Sequence, residues 1–248
     1  MNECFDVDNL KPEKKMTEKK EGLSPSCASC TVEIPQRICF SEKGKGHKGC
    51  PSLTRKDILK EANKAYDAKE IKKFAYNASL QEAECYANRD QHPYIMQPTK
   101  TRIVETCEFA LKMGYKRIGI AFCLGLTTEV KIVEEILTGY GFDVVSICCK
   151  AGNSSKETIG ISDDEKIYKG TNEAMCNPIF QAKALNHEKA DFNILLGLCV
   201  GHDSLFLQFT DIPTTVLAVK DRVTGHNPLA AIYQSESYYR KIRHPDIK

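Results

Sequence analysis

The stretch NILLGLCVGHDSLFLQF, Asn193 to Phe209, runs apolar for its first part and then presents Cys199, His202 and Asp203 within five residues. A short continuous apolar run closed by glycine reads as a strand buried on both faces, the setting of a parallel sheet between helical layers. Three similar runs share the second half of the chain: RIGIAF, FDVVSICC and TTVLAV. Helical segments such as TTEVKIVEEILTGYG and PIFQAKALNHEKA separate them. This alternation predicts βαβ units and an α/β fold over 115–240, a Rossmann-like three-layer sandwich in which about four parallel strands carry helices on both faces. Right-handed crossovers place the C-terminal strand ends along one edge.

Upstream, three segments precede the sheet. Residues 1–26 mix Lys and Glu without apolar periodicity and read as a flexible leader, with Cys4 incidental. Residues 27–52 are Cys-rich, punctuated by Gly and Pro, and too poor in apolar residues to bury a core without a metal. Residues 53–114 are helical and predicted to pack on the main domain. Ile58, Ala62, Ala65 and Tyr66 share one face, Ile71, Phe74, Ala75 and Ala78 another, and a break falls near Asp67 to Glu70. A further helix follows Pro98, with Ile103, Cys107, Ala110 and Leu111 in register and Gly114 as its stop. Cys85 and Cys107 read as small core residues.

Composition narrows the class. The 248 residues are 42% apolar and 27% charged, with a formal net charge of +2, so bulk charge gives no argument for nucleic acid or an anionic membrane. The sequence shows no apolar run of bilayer length and no secretory signal, which predicts a cytoplasmic protein. Twelve cysteines in a reducing compartment point to metal ligation or thiol chemistry rather than to disulfides.

The first cysteine group is Cys27, Cys30, Cys39 and Cys50, with Pro51 directly after it. A two-residue spacer lets both sulfurs of the CASC turn converge, and a second pair completes a tetrahedral or cubane shell. Zinc and an iron–sulfur cluster both suit this spacing. His47 offers an alternative donor, though Lys45 and Lys48 beside it suggest an exposed loop.

The second group is dispersed. Cys123, Cys149 and Cys199 each stand where a predicted parallel strand ends, the edge at which open α/β sheets bind ligands. Cys176 precedes Asn177-Pro178, a cap followed by proline at the first helical position, and a thiolate before a helix N-terminus is stabilised. His226 holds the same slot before Asn227-Pro228. Cys148 reads as core. Gly125, Gly152 and Gly201 follow cysteines closely and permit tight turns. They form neither a dinucleotide fingerprint nor a phosphate loop of Walker type.

Polar residues surround this edge. Lys220 and Arg222 suit an anionic substrate or the charge of thiolates, although Asp221 and Arg222 alternatively form a loop ion pair. Asp203 or Ser204 is expected to cap the helix LFLQF, and Asp203 would fix the His202 tautomer if it reached that ring.

Taken together, CASC, GCP, FCLGL, CCKAG, MCNPIFQAKALN, GLCVGHDSLF and VKDRVTGHNPLAA resemble a prokaryotic family of uncharacterised metal-binding proteins, domain-of-unknown-function family 1847, over about residues 24–240. The resemblance implies metal binding and no particular reaction.

The leading expectation is a cytoplasmic protein holding an iron–sulfur cluster, of the 4Fe–4S type first and zinc second, on Cys123, Cys149, Cys176 and Cys199. His202, Asp203, Lys220, Arg222 and His226 would line it for a small anionic substrate or a redox partner. A non-catalytic zinc-binding, metal-delivery or sensing protein is the first alternative. A thiol enzyme with Cys199 as nucleophile and His202 as base is the second.

Overall fold

The structure is a computed structural model, and it describes residues 23–245. The leader expected over 1–26 lies outside the described residues except for its last four, and Cys4 lies outside them altogether. The chain divides into two compact units, Met1–Lys72 and Lys73–Lys248.

The described part of the first unit is held largely by backbone hydrogen bonds. A 3-10 turn, Cys27–Ser29, closes the CASC stretch, and Ser26 donates its amide to the Gly49 carbonyl at 3.3 Å. The Arg37 guanidinium donates to the carbonyls of Val32 and Cys30, tying the first cysteine pair to the loop that leads to Cys39. Two short helices follow, α1 (Pro51–Thr54), with Cys50 in its cap position, and α2 (Lys56–Ala65). The predicted break is present between Ala65 and Lys69, but the predicted apolar face of α2 is not buried. Ile58 is 56% and Tyr66 53% exposed, and α2 buries no residue.

Helix α3 (Lys69–Glu84) leads into the second unit, followed by α4 (Arg102–Met113). Gly114 ends α4 in the left-handed conformation, φ +79°, and Tyr115 donates back to the Ala110 carbonyl at 3.0 Å. This ending is the one glycine favours, because a Cβ opposes positive φ. Cys85 and Cys107 are buried as expected, whereas Leu111 faces outward.

Four strands then alternate with helices: β1 (Arg117–Phe122), α5 (Thr127–Gly139), β2 (Asp143–Cys148), α6 (Pro178–His187), β3 (Phe192–Leu198), α7 (His202–Phe209), β4 (Thr214–Val219) and α8 (Pro228–Tyr233). The sheet order is β2-β1-β3-β4 and every pairing is parallel. Every residue of β3 is buried, as its unbroken apolar run requires of a central strand. Ile118, Ile120 and Ile194 pack with α4 and α5 on one face, and Ala121, Leu195 and Leu198 pack with α6 and α7 on the other. Each such Ile or Leu side chain contributes about 1.5–3 kcal/mol of burial.

The strand order sets the switch point of the sheet. The chain leaves β1 toward β2 on one side, and leaves β3 toward β4 on the other. The switch point therefore lies between the C-terminal ends of β1 and β3, and the crevice outside such ends is where these sheets bind ligands. Cys123 follows β1 and Cys199 follows β3.

Candidate functional site

Two sulfurs meet at that edge, and the thiol of Cys123 acts on one of them. Cys149 Sγ lies 3.6 Å from Cys176 Sγ, within the reach of the Cys123 thiol, and accepts the Leu124 amide at 3.4 Å. The backbone holds this arrangement. Cys149 donates its amide to Phe122 at 2.8 Å, and its carbonyl accepts Asn177 N–H at 2.7 Å, so the residues before and after the two sulfurs are paired. The Asn177 side chain caps α6 by accepting from Phe180 N–H at 2.9 Å, which sets Cys176 ahead of the helix as the Asn-Pro motif predicts.

Cations accompany the thiols. Lys220 Nζ and Cys123 Sγ each lie 3.8 Å from where a side chain on Gly125 would begin, and Lys220 Nζ lies 3.7 Å from the same point on Gly197. Arg222 donates from Nη2 to Cys199 Sγ at 3.2 Å, and Lys150 acts electrostatically on Cys176. Cys199 in turn lies within electrostatic range of Cys176.

Protonation follows from these contacts. The hydrogen bond shared with Cys149 holds the Cys176 thiol below the ordinary value, against burial and the neighbouring sulfurs. Cys149 is drawn down by Cys123 but driven up further by Cys176 and by burial, ending at about 11. Cys123, donating to Cys149 and buried, is raised well above the ordinary thiol range. Cys176 is therefore the first of the three to become a thiolate.

The remaining predicted residues divide. His202 opens α7 half-buried, and burial lowers its pKa so that the ring is neutral at neutral pH. Its amide donates to the Cys199 carbonyl, and the Cys199 sulfur is paired with Arg222 rather than with His202. The cap of α7 is Gly201. Asp203 lies inside the first turn, where it accepts from the Ser204 amide at 2.7 Å instead of bonding the His202 ring. His226 faces its own loop: Nδ1 accepts the Asp221 amide at 3.1 Å, and Asn227 makes no side-chain cap although its backbone angles repeat those of Asn177. Asp221 accepts the Val223 and Thr224 amides at 2.9 Å, leaving Arg222 for Cys199.

In the first unit, Cys50 is buried, Cys30 half-buried, and Cys27 and Cys39 exposed. His47 is not the fully exposed residue its lysine neighbours suggest. Its Nδ1 accepts the Gly49 amide at 3.1 Å, while Nε2 is sealed from solvent without a partner. An accepting Nδ1 leaves the proton on Nε2, which makes that nitrogen a donor rather than a lone-pair ligand. Among the described residues, neither cysteine group gathers three or more Cys, His, Asp or Glu side chains into a metal-ready cluster. The sheet-edge sulfurs make a chain of contacts in place of a closed shell.

Two contributors lacked a sequence signal strong enough to single them out. Gln181, wholly buried, donates to the carbonyls of Phe122 and Ile147, the residues just before Cys123 and Cys148, and so clamps both strand ends beneath the thiols. Lys150 follows the Cys148-Cys149 pair directly, and its adjacency was the available hint.

The sequence profile of the family described as "Protein of unknown function (DUF1847)" matches residues 50–217. That span includes Cys123, Cys149, Cys176 and Cys199 and excludes Cys27, Cys30, Cys39, Lys220, Arg222 and His226. An uncharacterized protein of Methanocaldococcus jannaschii is 40% identical over 216 residues, covering 87% of this chain and 97% of that one. No solved structure matches the chain. With most of its length matched by both the profile and the archaeal relative, the chain belongs to the DUF1847 family.

Proposed function

We propose that the protein binds a soft metal through the thiolates of Cys123, Cys149 and Cys176, with Cys199 beside them, at the switch point of its parallel sheet. The observation that carries this reading is the 3.6 Å separation of the Cys149 and Cys176 sulfurs. Tetrahedral thiolate coordination at about 2.3 Å per bond sets neighbouring sulfurs about 3.8 Å apart. Little movement is needed to close such an edge. Lys220 and Arg222 support the same reading, because several thiolates around one divalent ion leave net negative charge for adjacent cations to balance.

Three sulfur ligands leave one coordination position for a further donor, and a metal there would polarise a bound sulfur or oxygen ligand. Lys220 and Arg222 would orient an anionic ligand, and the neutral His202 ring stands nearby in sequence as a proton carrier. A 4Fe–4S cluster is the second reading. It is favoured by Cys199, a fourth sulfur that stands off from the contact chain, because a cubane binds each cysteine to a different iron and spreads the sulfurs. The first cysteine group would hold a separate structural ion, with Cys50 and the CASC turn linked through the Ser26–Gly49 bond.

Elemental analysis on full-length protein purified anaerobically without chelator tests both readings. About one zinc or copper equivalent lost on replacing Cys149 by Ser supports the single-ion site. Iron with matching acid-labile sulfide, lost in the same variant, supports the cluster. Metal content identical in the wild type and the variant rejects both.

A further inference from the structure

We propose that the metal-free protein performs dithiol–disulfide exchange at the sheet edge, with Cys176 as the attacking sulfur, Cys149 as the resolving sulfur and a small organic disulfide as the oxidant. The activity is independent of the metal reading, since it uses the thiols when no ion holds them.

The pair has the asymmetry that such chemistry needs. Cys176 is half-buried on a loop and can meet a small disulfide, whereas Cys149 is 3% exposed and packs in the apolar cluster beneath the edge. Their sulfurs are 3.6 Å apart, and the bond from Asn177 N–H to the Cys149 carbonyl keeps the two backbones together. Closing to a disulfide of about 2.05 Å asks for a side-chain adjustment rather than a backbone rearrangement. The Leu124 amide, donating to Cys149 Sγ at 3.4 Å, holds that sulfur at the edge beside Cys176.

Cys148 is not a competing partner for Cys149. Adjacent Cα atoms lie about 3.8 Å apart, below the range of about 4.4–6.8 Å that disulfides prefer.

The steps balance. The Cys176 thiolate attacks one sulfur of the small disulfide RSSR, forming a Cys176–S–S–R bond and releasing RS⁻. The Cys149 thiolate then attacks the Cys176 sulfur, forming the Cys149–Cys176 bond and releasing the second RS⁻. Two electrons pass from the protein dithiol to RSSR, and the two thiol protons leave with the released thiolates. Oxidation would also withdraw two sulfurs from the proposed metal site, so the thiol redox state would govern its loading.

The test uses the reduced, chelator-treated full-length chain and oxidised glutathione, with tryptic peptides mapped by mass spectrometry. The wild type should give a cross-link between the peptide ending at Lys150 and the peptide from Gly170 to Lys183, retained when Cys148 is replaced by Ser. The Cys149→Ser variant should instead hold a stable glutathione adduct on Cys176, and Cys176→Ser should show neither product. A cross-link from Cys149 to Cys123, no cross-link at all, or no adduct at Cys176 in Cys149→Ser would overturn the proposal. Metal content is not part of the readout, so failure of the metal reading and failure of this one are separable.

Discussion

Arg222 Nη2 lies 3.2 Å from Cys199 Sγ, although the two residues enter from different loops, one after β4 and one after β3. A guanidinium so placed keeps its positive charge across the whole working pH range. The contact ties the loop after β4 to the loop after β3 at the sheet edge.

Arg222→Gln should weaken metal binding by about tenfold to a hundredfold, the usual effect of removing a group that supports a ligand from outside the coordination shell. Competition with a chromophoric chelator measures it. Unchanged affinity would show that Arg222 serves only the surface.

Alkylation should follow the order of the thiol pKa values. Cys176 is held below the ordinary 9.0 and Cys149 is raised to about 11, so iodoacetamide at about pH 8 should modify Cys176 well before Cys149. The sign for metal binding is also set. Each ligand must lose its proton, so affinity should keep rising with pH beyond the ordinary thiol value of 9.0, because Cys149 and Cys123 are both raised above it. A plateau below pH 9 would remove Cys149 and Cys123 from the ligand set.

Cys107 predicts an alkaline loss of stability. Its thiol is wholly buried, and burial raises its pKa from 9.0 to about 11. The unfolded chain ionises first, so the stability present below 9.0 declines as pH rises through about 11. Urea midpoints measured on either side of that window should fall in the wild type and fall less in Cys107→Ala.

Gly197→Ala should destabilise the protein by about 1–3 kcal/mol, the range for overpacking a core. A Cβ there would lie 2.2 Å from Leu126 Cδ1, and the backbone sits at φ +69°. Denaturant unfolding of the variant beside the wild type measures the difference.

The long connection between β2 and α6 should depend on Glu173. This buried carboxylate accepts from Lys156 Nζ at 2.8 Å and from the Ile167 and Tyr168 amides at 2.9 Å and 3.1 Å. Glu173→Ala leaves these donors unpaired, and limited proteolysis between Lys150 and Lys169 should become at least severalfold faster. Equal cleavage rates would place the support of this loop elsewhere.

The sheet was legible because its strands announce themselves. NILLGL has no polar face to spare apart from Asn193, whose Nδ2 donates to Thr210 while its Oδ1 is buried without a partner. Cys123, Cys149 and Cys199 were legible as strand-end residues because strand direction and crossover handedness leave one edge for them all. The α2 surface was not legible. Helical spacing of Ile58 and Tyr66 gives a shared face, but says nothing of whether another surface covers it. The failed cap at Asp203 has a similar cause: Gly201, at φ +84°, begins the turn two residues earlier than the sidechain pattern implies.

Sequence alone determined the parallel α/β sheet, its helical cover, and the arrival of cysteines at one edge, because apolar period and chain direction are properties local to each segment. Only the tertiary structure decided which sulfurs touch, which cation stands against which thiol, and that His226 bonds its own loop. Those choices turn on distances of a few ångström between residues far apart in the chain, and the strand order β2-β1-β3-β4 sets those distances.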